Sequence, residues 1–167
     1  DKGFLSKLAA KSGKTLAKFD SLHIRAGEFV AEEVEKAMGE DAIVSSACRE
    51  IVDLTRERKS VIVFCSSVAH CHAVAEKISR YSGQECAVVT GDTPSLERAE
   101  ILARFKGAEI ETDLFGGKKP PLKFVANVEC LTTGFDAPNI DCVALLRPTM
   151  SPGLLMQMCG RGTRLSP

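Results

Sequence analysis

The rhythm of apolar positions changes near residue 60. Upstream it is helical. Residues 28–38 (EFVAEEVEKAM) place Phe29, Val30, Val34, Ala37 and Met38 on one face, and Gly39 fits the C-cap position. Residues 42–58 repeat the pattern, with Ile43, Val44, Ala47, Cys48, Ile51, Val52 and Leu54 on a stripe opposite a polar face. Residues 61–65 (VIVFC) then form an unbroken apolar run, the mark of a strand buried on both faces. Residues 68–81 predict a helix and residues 85–90 (ECAVVT) a second strand. Thr93-Pro94 pairs a Thr N-cap with Pro at the first helical position. The helix it opens is expected to run to about Phe105, with Leu96, Ala99 and Leu102 inward. The run Gly116-Gly117-Lys118-Lys119-Pro120-Pro121 makes residues 107–121 a loop. Residues 122–128 (LKFVANV) and 142–146 (CVALL) predict two more strands, and Ser151-Pro152 opens a last helix. Residues 1–27 are less patterned; LAKFD, after the turn-like Lys11-Ser12-Gly13, predicts a short strand.

Strands separated by helices imply βαβ units, a parallel sheet and right-handed crossovers. In such sheets the working groups collect at the carboxyl ends of the strands. The expected organisation is a lead-in segment with two helices over residues 1–58, followed by an α/β domain over residues 59–167.

Composition narrows the function. The chain has 167 residues, 22 Lys+Arg against 22 Asp+Glu, 44% hydrophobic and 26% charged residues. That suits one folded domain and excludes disorder as the dominant state. With a formal net charge of +0, any nucleic-acid binding must come from a local patch. No apolar run approaches the roughly 18 residues of a membrane span, and no secretory signal opens the chain. The seven cysteines are odd in number, form no CxxC pair and fall mostly in apolar runs. They read as packing residues in a reducing, cytoplasmic compartment. The chain starts at Asp1 and stops at Pro167, just past an Arg-Gly motif, so a fragment of a longer protein is expected.

Four stretches carry candidate chemistry. Gln157-Met158-Cys159-Gly160-Arg161-Gly162-Thr163-Arg164 would set Gln157, Arg161 and Arg164 on one face if the helix continues. Two guanidiniums on one edge suit phosphate oxygens, although the stretch also fits a capped helix end with solvated arginines. Leu131-Thr132-Thr133-Gly134-Phe135-Asp136-Ala137-Pro138 follows a strand. Its hydroxyls and Gly could face a phosphate and Asp136 a ribose, but its residues also suit a plain turn. Phe64-Cys65-Ser66-Ser67 leads from strand to helix, where a Ser commonly serves as an N-cap. Thr90-Gly91-Asp92-Thr93, with Arg98 a turn later, permits the same two meanings.

Taken in chain order, the four stretches resemble the C-terminal RecA-like domain of superfamily-two (DExH-type) helicases and translocases. VIVFCSS is similar to motif IV. TGDT with Arg98 and Phe105 is similar to the segment between motifs IV and V. LTTGFDAP is similar to motif V, and QMCGRGTR to motif VI with its Q-x-x-G-R-x-x-R pattern. The likeness covers about residues 60–167, and TTGFDAPN and LLRPTMSPG are closest in wording to the bacterial RadD-type DNA-repair helicases. It implies a three-layer RecA-like α/β domain with a mostly parallel sheet. This would be the second motor domain of an ATP-dependent DNA helicase, inactive alone. Arg161 would be the arginine finger, Arg164 its partner, and Gln157 the residue orienting the arginine or the attacking water. Gly134, Asp136 and Gly160 would contact the nucleotide. Ser66, Thr90, Arg98, Thr132 and Thr133 would grip the nucleic-acid backbone. ATP and Mg²⁺ would be held mainly by an N-terminal RecA-like domain absent from this chain. The motif VI start is Gln157-Met158 rather than the DEAD-box His-Arg, which favours DNA over RNA. Two competing classes are a non-catalytic nucleotide or nucleic-acid binding module on the same fold and a small-molecule α/β enzyme such as a sugar-nucleotide transferase.

Two tempting motifs are set aside. Ser12-Gly13-Lys14-Thr15 lacks the earlier Gly of a P-loop, since Leu8 stands there, and no apolar strand precedes it. His70-Cys71-His72 are helical neighbours that cannot converge on one metal ion. No metal site is expected.

Overall fold

The computed structural model describes residues 9–11, 13–14, 22–111, 117–128 and 139–163. A two-residue hairpin comes first, β1 (Ile24–Arg25) paired antiparallel with β2 (Glu28–Phe29). Its turn is Ala26-Gly27, both at positive φ (53° and 81°), the twist that a tight hairpin requires. Helices α1 (Ala31–Met38) and α2 (Asp41–Leu54) follow. The α/β part then runs β3 (Val61–Cys65), α3 (Val68–Ser82), β4 (Cys86–Val89) and α4 (Ser95–Phe105). A second small hairpin joins β5 (Ile110–Glu111) to β6 (Lys118–Lys119). The chain closes with β7 (Phe124–Asn127), β8 (Cys142–Leu146) and α5 (Pro152–Cys159).

Strands β4, β7, β3 and β8 form one parallel sheet in that order, with Val61 opposite both Phe124 and Cys142. Alternation along the strands builds three layers. Val61, Val63 and Cys65 face one side, packed with Val44, Cys48 and Ile51 of α2 and Cys71, Val74 and Ile78 of α3. Ile62 and Phe64 face the other, packed with Ile101 and Phe105 of α4 and Met158 of α5. All five residues of β3 are buried, as its unbroken apolar run predicts for a central strand. Helix α2, in the segment expected as a lead-in, shares the α3 core. Six described cysteines are free thiols, four of them fully buried. Burial pushes the Cys48 thiol up to about 12, and a hydrogen bond with Cys71 together with burial raises Cys65. Thiols held protonated in this way act as packing groups.

Three local expectations need correction. Residues 28–29 belong to the first hairpin, so α1 starts only at Ala31. Helix α4 starts at Ser95 with Pro94 as its N-cap, because the Thr93 hydroxyl turns back to accept the Thr90 N–H at 2.9 Å. Its buried residues are Ile101, Arg104 and Phe105, with Leu102 packed beside them as expected, whereas Leu96 is 88% exposed and Ala99 lies on the surface. Arg104 is held on that inward face. Its guanidinium bonds both carboxylate oxygens of Glu85, and its Nε donates to the Pro120 carbonyl at 2.8 Å. The strand expected over LAKFD lies outside the described residues.

Candidate functional site

The carboxyl ends of the strands gather several of the expected residues. Ser66 follows β3 directly. Its N–H donates to His70 Nδ1 at 3.3 Å, which makes that nitrogen an acceptor, and the Ser66 hydroxyl lies 2.8 Å from it. A phosphate oxygen only accepts, so Ser66 would have to turn its hydroxyl from His70 to bind one. Ser67 caps α3 by accepting the His70 N–H at 3.2 Å. His70 itself is only 4% exposed, and burial holds its pKa below the usual imidazole value. Its Nε2 has no hydrogen-bond partner among the described residues. Of its neighbours, Cys71 is in the core and His72 faces solvent.

Thr90 follows β4 directly and is buried. Arg98 folds over the turn that follows, its Nη2 donating to the Thr90 carbonyl at 2.9 Å and lying 3.5 Å from those of Gly91 and Thr93. Thr90, Thr93 and Arg98 thus form a pre-shaped turn that engages one guanidinium nitrogen of Arg98, while its Nε has no hydrogen-bond partner among the described residues. Asn127 ends β7, fully buried, with Nδ2 donating to the Val63 carbonyl at 3.0 Å. Sequence reasoning passed over Asn127 as an ordinary strand residue; a buried Asn at the carboxyl end of a central strand was the available signal.

Helix α5 is capped at its start by Ser151, which accepts the Leu154 N–H at 3.2 Å. It ends earlier than a continuous motif VI helix requires. The Gly160 N–H donates to Met156, after which Arg161 and Gly162 switch to tighter bonds with Met158 and Cys159. Gln157 is therefore exposed on the helix while Arg161, past its end, is buried at 9% exposure; they do not share a face. Gly162 lies against β8, where a Cβ would stand 2.9 Å from Val143 Cγ2. That close approach seats the Arg161 turn on the sheet. Thr132, Thr133, Gly134, Asp136 and Arg164 lie outside the described residues.

Two features show where a phosphate does not fit. The Lys14 N–H, within the segment that imitates a P-loop, donates to the Glu50 carboxylate at 2.7 Å, so an anion already occupies that donor. A groove of about 490 Å³ beside β4 is lined by Glu85, Glu97 and Glu100. Its Arg104 and Lys119 are already paired with Glu85 and Glu100. The three carboxylates disfavour a nucleotide phosphate beside them, although Thr90 and Thr93 also line this groove. No group of three or more metal-ligating side chains, and no helix able to cross a membrane, is present among the described residues.

Relatives fit this architecture. A Saccharomyces cerevisiae protein named as the ATP-dependent helicase IRC3 is 38% identical over 107 residues, 64% of this chain and 14% of that protein. The Escherichia coli type I restriction enzyme EcoKI endonuclease subunit is 30% identical over 84% of this chain and 12% of its own length. A solved structure described as a fragment of an HsdR subunit of a type I restriction enzyme from Vibrio vulnificus YJ016 superposes with a TM-score of 0.59 and 25% identity. That match covers 81% of this chain and 26% of the other. The matches thus span only 12% to 26% of the length of each of these proteins. Residues 43–166 match the family described as the helicase conserved C-terminal domain, and the chain belongs to that family.

Proposed function

We propose that this domain is the second motor domain of an ATP-dependent DNA helicase or translocase, working with an N-terminal RecA-like domain of the same longer chain. The observation that carries the proposal is the seating of Arg161. It is buried, lies just past α5, and is fixed by a glycine turn against β8. A guanidinium held this way is a permanent, pre-oriented cation, suited to charge that develops on a transferring phosphoryl group. The donor already spent at Lys14 supports leaving the phosphate cradle and the Mg²⁺ ligands to the first domain. ATP bound between the halves supplies the phosphoanhydride, and this chain contributes positive charge from one side. Gln157, exposed one turn earlier, is assigned to orienting the arginine or the attacking water. Gly160, Gly134 and Asp136 are assigned to the nucleotide, and Arg164 to pairing with Arg161.

The strand-end groups form the proposed nucleic-acid edge. Ser66, Thr90, Arg98, Thr132 and Thr133 would meet the phosphodiester backbone, a grip that positions without reading sequence. Arg98 acts chiefly by shaping the Thr90–Thr93 turn. DNA is favoured over RNA by the Gln157-Met158 motif and by relatives named as restriction-enzyme subunits.

The test is DNA-stimulated ATP turnover by the longer chain, with and without Arg161→Ala. The expected result is a fall of roughly 10³-fold, the low end for an arginine finger, with DNA binding retained. The isolated domain should turn over little or no ATP. Unchanged turnover in Arg161→Ala, or brisk turnover by the isolated domain, would refute the assignment.

A further inference from the structure

Helix α5 delivers Arg161, yet it is lightly seated. Met158 is its one buried residue, Leu154 is half-buried, and Pro152, Gly153, Leu155, Met156 and Gln157 are exposed. A helix of eight residues cannot hold its own geometry. Beyond its far end Gly162 rests against Val143. Its near end is fixed by a carboxylate from the first hairpin, 121 residues earlier in the chain. Glu28 accepts the Thr149 hydroxyl at 2.7 Å and the Met150 N–H at 2.7 Å, as well as its neighbour Phe29 N–H at 3.1 Å. The Thr149 hydroxyl oxygen in turn accepts the Ser151 N–H at 3.0 Å, and Ser151 caps the helix. An unbroken series of hydrogen bonds thus runs from Glu28 to the first turn of α5. Burial opposes ionisation of Glu28, but these donors prevail and hold its pKa below the usual carboxylate value.

We propose that Glu28 is a positioning residue for Arg161: the hairpin carboxylate sets the start of α5 and so the point at which the helix delivers the arginine. The proposal rests on the assignment of Arg161 above. The lever is long enough to matter. At 1.5 Å per residue the eight residues of α5 span about 12 Å, so a tilt of about 5° at the start moves the far end by about 1 Å. A misplacement of about 1 Å can cost on the order of 10²-fold in rate. The same bonds tie α5 to the hairpin that precedes α1, so a displacement of the hairpin is passed to the arginine.

The experiment compares Glu28→Ala with Glu28→Gln, which keeps an acceptor oxygen for the Met150 N–H. On this chain, amide hydrogen exchange is followed residue by residue. Met150 is exposed, so its amide protection depends on Glu28. In Glu28→Ala the amides of Met150 and Leu154–Arg161 should exchange at least roughly tenfold faster, with those of β3 unchanged. In the longer chain, kcat for DNA-stimulated ATP turnover should fall on the order of 10²-fold at constant KM for ATP. Glu28→Gln should recover most of both effects. Unchanged exchange at Met150 and α5 would overturn the proposal. So would an unchanged kcat in Glu28→Ala while Arg161→Ala abolishes turnover. Intact turnover in Arg161→Ala would remove the arginine assignment and this proposal with it, a failure distinguished by its own variant.

Discussion

Arg104 offers the sharpest test of the packing. Its side chain is 3% exposed, bridges α4 to Glu85 at the start of β4, and reaches the Pro120 carbonyl ahead of β7. Glu85 is 55% exposed, so it regains water when the arginine is lost. The cost is therefore expected no higher than the low end of the roughly 3–5 kcal/mol of stranding a buried charge. Replacing Arg104 by Ala removes two stem methylenes at about 0.8 kcal/mol each, near 1.6 kcal/mol. It also removes charge-assisted hydrogen bonds worth about 1.5 kcal/mol at the low end of their range, taken because Glu85 is half in water. The sum is about 3 kcal/mol for Arg104→Ala. Arg104→Met keeps most of the stem and should lose only the polar part, about 1.5 kcal/mol. Urea unfolding at constant m reads both values, and 1 kcal/mol corresponds to roughly 2–4 °C in Tm for a chain of this size. If Arg104→Met costs as much as Arg104→Ala, the stem contributes nothing. If both cost below about 0.5 kcal/mol, the level of an ordinary surface site, the staple does not exist.

Two further outcomes are expected, beside those for Arg161 and Glu28. His70 has its folded pKa depressed by burial, so below about pH 6.5 the unfolded chain takes up a proton that the folded chain refuses. Stability should be full above that pH and fall as pH drops toward the folded value, by up to about 1.4 kcal/mol per unit. His70→Asn should flatten this slope in urea midpoints taken at pH values from about 7.5 down to 5.5, and an identical slope in the variant would contradict the buried, neutral assignment. Gly162→Ala should cost about 1–3 kcal/mol by crowding Val143. The cost should shrink in a Val143→Ala background, and equal costs in the two backgrounds would show that the two residues do not press on each other.

Much of the fold was legible because burial writes a period into the chain. VIVFC is apolar at every position because β3 lies between two helical layers, and CVALL and FVAN pair beside it in the same direction. Ser151-Pro152 announced α5, and Ser151 does cap it. The order of the four motifs led to the helicase family on residue types alone, and the match over residues 43–166 agrees. Periodicity was less informative where one helix offers two apolar stripes. In α4, Leu102 does pack against the core, but Leu96 and Ala99 face solvent while Ile101 and Phe105 turn inward beside Arg104, which meets Glu85 and Pro120.

The candidate site divides along the same line. The sequence by itself determined which residue types stand at the strand ends, on the helix after β4 and around the end of the last helix: Ser66, Thr90, Arg98, Gln157 and Arg161. Only the tertiary structure decided what each is engaged with. Ser66 is held by His70, Arg98 by its own turn, Gln157 faces solvent and Arg161 is buried behind a glycine contact. No local pattern joins Glu28 to Thr149 or Gly162 to Val143, because neither side of either pair carries a period or spacing that refers to the other. The physical reason is that periodicity records only whether a side chain faces water or protein. Which partner it meets is settled when the crossovers bring distant strand ends and loops to the same edge of the sheet.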